Sequence, residues 1–163
     1  MTRRPSQQAL LVAALLLFGA IPVMAQKPAW KPIAELLVGS LGESDPVRMS
    51  DVMSRCTALN MILAGMATDI SPDMAQSYKD EAHRFIQHGV LIDSQMAKET
   101  TGVEADIAAL SSAAIEEVKG MLSGYNLWLD ENIAAEGAYI NKDIDMEIDS
   151  CQLASRLANS GSE

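Results

Sequence analysis

From residue 46 onward, apolar positions in this 163-residue chain recur every three or four residues and almost never alternate. Met49, Val52, Met53, Cys56, Leu59, Leu63 and Met66 form one such stripe, the 3.6-residue period of a helix. Ser44 or Asp45 can cap its start and Pro46 suits its first turn, so a helix is predicted over 46–67. A second stripe holds Met74, Tyr78, Ala82, Phe85, Ile86, Gly89, Ile92 and Met96. Ser71 and Pro72 repeat the start signal, and this helix is predicted to reach about Glu99, with Asp80 and Arg84 paired four apart on its wet side. Thr101 and Glu104 then read as a capping box. The stripe behind them is Ile107, Leu110, Ala114, Val118, Met121, Tyr125, Trp128 or Leu129, and Asn132. Its phase survives Ser123-Gly124, which predicts one long helix, with that pair as the place for any kink and Gly137 as its C-terminal cap.

The last predicted helix runs from about Asn141 to Ala158. Ile144, Ile148, Cys151 and Leu157 face inward. Asp143, Asp145, Glu147 and Asp149 are expected mostly outward, the early acids facing the positive end of the helix dipole. Upstream, Ile33, Leu36, Leu37 and Leu41 predict a short helix that ends near Gly42. With no strand-like alternation and short connectors, the fold class is all-α. The expected architecture is an antiparallel up-down four-helix bundle with a short extra N-terminal helix. That short helix should cover the end of the hairpin made by the second and third long helices. Aromatic residues make up only 4% of the chain, so Leu, Ile, Met and Ala must build the core.

Residues 1–25 have a different pattern. Arg3 and Arg4 precede an unbroken apolar run over 10–21, and Val23 and Ala25 stand at the small-residue positions before Gln26. This is the layout of a secretory signal peptide. A spanning helix needs ~20 apolar residues, which makes an uncleaved anchor the weaker reading. The expected organisation is therefore a signal peptide over 1–25, an extended segment over 26–32 marked by Pro28 and Pro32, one helical domain over 33–159 and a frayed tail over 160–163. Cleavage would remove two arginines and no acid. Ten basic residues would then face 22 acidic ones, a net charge of −12 against −10 for the whole chain. Such a charge disfavours nucleic-acid phosphates and anionic membranes as partners. The expected compartment is the periplasm or the exterior, with no membrane insertion after cleavage.

An oxidising compartment changes the meaning of the two cysteines. Cys56 and Cys151 each lie mid-helix on an inward stripe, and first and last helices of an up-down bundle are neighbours. A structural disulfide is expected. Redox chemistry would call for C-x-x-C and an exposed low-pKa thiolate. A Cu(I) site could draw on Met49, Met53 and Cys56, since soft sulfur ligands suit that ion, but methionines at helical spacing are more often core filler. His83 and His88 are the remaining metal candidates. They stand five apart and so point about 140° away from each other around a helix. Asp80-x-x-His83 is half of a di-iron motif that needs two copies. There is no C-x-x-C-H for covalent haem. "NKDIDMEID" mimics the first ligands of a calcium loop, but Met146 stands where the loop needs glycine and Gln152 where it needs the closing glutamate.

Tyr125 and Trp128 could line a groove, and Asn60 and Asn132 sit where a buried amide would need partners. No nucleophile elbow or phosphate-cradling loop is present. The expectation is a non-enzymatic exported helical protein, without cofactor, that acts through contacts with an unknown protein partner. The alternative is a metal or small-ligand carrier using the bundle interior.

Overall fold

The computed structural model describes residues 30–43 and 46–160. The signal segment, Pro28, the Ser44/Asp45 cap and residues 161–163 lie outside them. Five helices occupy the described residues: α1 (Ile33–Glu43), α2 (Pro46–Ala67), α3 (Pro72–Thr101), α4 (Ile107–Glu136) and α5 (Lys142–Ser160). No strand is found among these residues. α4 continues through Ser123-Gly124 as one helix.

Two of the caps follow the sequence. Ser71 accepts a hydrogen bond from the Met74 N–H at 3.3 Å, ahead of Pro72. Gly137 closes α4 at φ 70°, a left-handed conformation that costs an L side chain ~1–2 kcal/mol. The predicted Thr101/Glu104 box does not form. Asp106 caps α4 instead, its Oδ1 accepting from the Ala108 and Ala109 N–H groups at 2.9 and 3.2 Å. Thr101 serves the preceding helix, donating its hydroxyl to the Ala97 carbonyl at 2.7 Å, and Gly102 ends α3 at φ 72°. The short aspartate reaches two orphan N–H groups at once, which a glutamate three residues on does not. The predicted Asp80–Arg84 pair is also replaced: Arg84 binds Glu81, while Asp80 accepts from Gln76 at 2.7 Å.

α2 is the centre of the fold. It contacts all four other helices. Every residue from 52 to 60 is buried, so the helix is enclosed on all sides rather than half-exposed. Small side chains make this possible. Ala75, Ala82 and Gly89, seven residues apart, are all buried on α3. A Cβ at Gly89 would stand 3.4 Å from the Met53 Cβ. One turn on, the Thr57 hydroxyl reaches the Ala82 carbonyl at 3.5 Å. The two pairings run in opposite order, so α2 and α3 are antiparallel and closely packed. Enclosure obliges the polar side chains of α2 to find partners. Thr57 donates to the Met53 carbonyl, Asn60 to the Cys56 carbonyl, and Ser54 to Glu117 on α4.

α1 packs on α2 and α5, not over the α3–α4 hairpin as its position in the sequence suggested. Ile33, Leu36 and Leu37 are buried there in the common core with Leu59, Phe85, Tyr125 and Ile144. Met74 and Ile107, expected inside, are about half exposed, and each lies in the first turn of its helix.

Candidate functional site

The cysteines are bonded. Cys56 on α2 and Cys151 on α5 form a disulfide with Cα atoms 5.4 Å apart, closing a loop of 95 residues. Both are buried.

Beside the disulfide lies a polar cluster that the sequence pattern did not indicate. Glu147, expected outward, is 5% exposed, and Arg55 is 2% exposed. Arg55 Nη2 donates to Glu147 Oε2 at 2.5 Å, and the Tyr125 hydroxyl donates to the same oxygen at 3.0 Å. Glu147 Oε1 accepts the Ile33 N–H at 2.9 Å. Arg55 Nη1 donates to the Lys31 carbonyl, and the guanidinium lies 5.2 Å from the Trp30 ring centre. One carboxylate on α5 thus joins α2, α4 and the start of α1. Burial, with Glu147 adding to it, pushes the Tyr125 phenol well above its ordinary value and keeps it a neutral donor. Tyr125 is completely buried, edge-on to Trp30 and stacked on Trp128 with centroids 6.1 Å apart. It therefore belongs to the core and not to an open groove. Trp128 and Trp30 do line a small hollow of about 150 Å³ next to Arg55 and Glu147. The sequence signal that could have revealed this cluster is Arg55 as the one charged residue in the apolar and small-residue stretch 52–59 of α2.

A second hollow, about 310 Å³, opens on the far side of the disulfide. Its floor is apolar, from Leu59, Leu63, Phe85 and Ile148. Its rim carries Tyr78, Glu81, Gln152 and Arg156. Burial raises the Glu81 carboxyl, but hydrogen bonds from Ser155 and Arg84, with the charges of Arg84 and His88, outweigh it and leave the carboxyl below its ordinary range.

A longer concavity runs along the line where α3 and α4 meet. One section, about 600 Å³, is bounded by Ile86, Val90 and Leu91 of α3 and by Ile107, Ser111 and Ile115 of α4. A second section, about 380 Å³, continues from it through His83, Ile86 and Ile115 to Lys79, Val118 and Lys119. Leu91 meets Ile107 at one end and Lys79 meets Lys119 at the other, so α3 and α4 are antiparallel. Four apolar residues lining this concavity are left substantially in water: Leu91 is 62% exposed, Ile107 48%, Ile115 46% and, from α2, Met61 44%.

No family model, curated protein or solved structure matches the chain.

The metal candidates are dispersed. Met53 is buried against Gly89, and Met49 packs at the edge of the core. Cys56 is held in the disulfide. His83 lies exposed at the groove, its Nε2 2.9 Å from the Gln87 side-chain nitrogen, and His88 is half-buried one and a half turns away. Among the described residues no three His, Cys, Asp or Glu side chains are grouped as metal ligands would be. Asn132 and Asn141 satisfy each other at the α4–α5 turn, the Asn141 amide donating to Asn132 Oδ1 at 2.9 Å. No described helix is long and apolar enough to cross a membrane.

Proposed function

We propose that this chain is a non-enzymatic exported protein that acts through protein contacts, with the α3–α4 groove as its docking face. The observation that carries the reading is the groove itself: a continuous apolar channel with Leu91, Ile107 and Ile115 exposed along it. Isolated exposed apolar residues are ordinary, whereas contiguous ones rimmed by polar groups mark interaction sites. The disulfide and the signal-like leader support export to the periplasm or exterior, and the acidic charge speaks against nucleic acid as the partner. We read α2 to α5 as an up-down bundle with α2 as its inner member, supported by the short connectors and by the antiparallel registers of α2–α3 and α3–α4.

A photo-reactive residue at position 115, introduced in the native host, tests the docking face. It should trap one discrete protein, whereas the same residue at exposed Asp130, away from the groove, should not. Leu91→Asp should abolish capture from position 115 without lowering the melting temperature, since the Leu91 side chain is mostly in water. Equal labelling from both positions, or none, would reject the groove.

A second reading, a small-ligand carrier, is favoured by the hollow beside the disulfide. Its apolar floor and mixed polar rim match the general make-up of ligand pockets. Native mass spectrometry of protein from its own host decides it: an added mass lost on Leu63→Trp, which fills the hollow, supports the carrier reading.

A further inference from the structure

We propose that the α3–α4 groove receives an amphipathic helix of about three turns whose flank is acidic. This rests on the docking-face reading above and names the chemistry of its partner.

Length comes first. On α3 the channel extends from Lys79 to Leu91. At ~1.5 Å per residue that is ~18 Å, the length of about twelve helical residues. The long walls are the antiparallel α3 and α4, the floor holds Ala82, Ile86, Val90 and Val118, and Thr57 and Met61 of α2 contribute at the Lys79 end. A helix laid between two helices meets such a floor with residues at i, i+3 or i+4, and i+7.

Charge decides the flank. The chain carries 22 acidic residues, yet no acidic side chain lines either section of the channel. The basic side chains there are Lys79 and Lys119 at one end and His83 where the two sections join. Glu116, next to the rim, pairs with Lys119 at 2.6 Å, but both groups are mostly in water. Such exposed pairs are worth ~0–1 kcal/mol and exchange readily for another carboxylate. The acids elsewhere on the protein do not overrule this local pattern, because at physiological salt charges are screened over ~8 Å. An acidic flank placed against Lys79 and Lys119 meets its complement at contact range. A basic flank would meet like charge there, and repulsion of that kind is how interfaces reject wrong partners.

The test uses the mature protein and fluorescent fourteen-residue peptides that share one Leu/Ile stripe and differ only in flank: Glu, Gln or Lys. Anisotropy should show the Glu peptide binding at least tenfold tighter than the Lys peptide, an advantage that shrinks as salt is raised. Lys79→Glu combined with Lys119→Glu should invert the order, and Ile115→Asp should weaken all three. Equal affinities, or a preference for Lys, overturn the acidic flank. If they are still abolished by Ile115→Asp, the groove reading stands. Failure of every peptide, with a partner nonetheless trapped at position 115, overturns the helical occupant alone. A dimer in sedimentation that Ile115→Asp converts to monomer makes the occupant a second copy and likewise overturns the proposal.

Discussion

Arg55 on α2 and Glu147 on α5 are buried against each other across 92 residues of sequence, and the Glu147 carboxylate also holds Tyr125 and the first N–H of α1. Arg55 Nε has no acceptor among the described residues, so the cluster is not fully satisfied even when intact. Removing one partner of a buried ion pair leaves a charge without compensation and costs ~3–5 kcal/mol. Glu147→Ala should therefore destabilise by about that amount in urea unfolding. Arg55→Met with Glu147→Leu should cost clearly less than the sum of the single changes, because no charge is left stranded. Additive losses would show that the two side chains act independently.

The disulfide closes a loop of 95 residues. In the chain-entropy account a loop of ~100 residues contributes ~4–5 kcal/mol through the unfolded state. For a domain whose total stability is of order 5–15 kcal/mol that is a large share. Cys56→Ser with Cys151→Ala should lower the denaturation midpoint strongly while leaving the urea-unfolded chain larger in hydrodynamic radius. Native protein should show no free thiol by alkylation and mass analysis. A double variant as stable as the parent would refute the role assigned to the bond.

Glycines should divide by conformation. Gly120 lies mid-helix on the exposed side of α4 with open space where a Cβ would go. Gly120→Ala should stabilise by ~0.5–1 kcal/mol through helix propensity alone. Gly137→Ala should destabilise by ~1–2 kcal/mol, since φ is 70° there although space is equally open. At Gly89 the added methyl would only touch Met53, but Gly89→Leu should force α2 and α3 apart at ~1–3 kcal/mol. Thermal melts of the four variants check the order.

Burial raises the Asp51 carboxyl above the ordinary aspartate value, only partly opposed by Arg55. Glu117 is raised too, by burial and by Asp51 and Asp93, with the hydrogen bond from Ser54 opposing. A raised folded-state pKa means that the folded protein holds the proton more tightly than the unfolded chain. The stability this contributes is full below the ordinary carboxylate range and lost as pH rises through the raised values. Glu81, lowered, works in the opposite sense and loses its contribution as pH falls. Asp51→Asn should thus raise the melting temperature at pH 7, and the gain should fade toward pH 4 as the parent aspartate takes up its proton. A gain of equal size at both pH values would show that it does not come from the charge.

The sequence by itself determined the helices, their approximate ends and the stripe of α2, because helical period and stop signals are local properties of the chain. It also determined the Cys56–Cys151 pairing, since a chain with two cysteines, each mid-helix on an inward stripe, allows only one internal bond. The sequence pattern gave Glu147 the wrong side, because an acid on a periodic helix reads as solvated unless its distant partner is known. Arg55 supplies that partner from another helix. The burial of Ser54 and Thr57 was not legible for the same reason: a short polar side chain beside an apolar stripe carries no local signal of burial, and only the packing of α1, α3, α4 and α5 around α2 made these positions interior. The α3–α4 groove was not legible at all. Ile107 and Ile115 line it half in water, and the gap between two helices is a property of their packing, not of either sequence stripe.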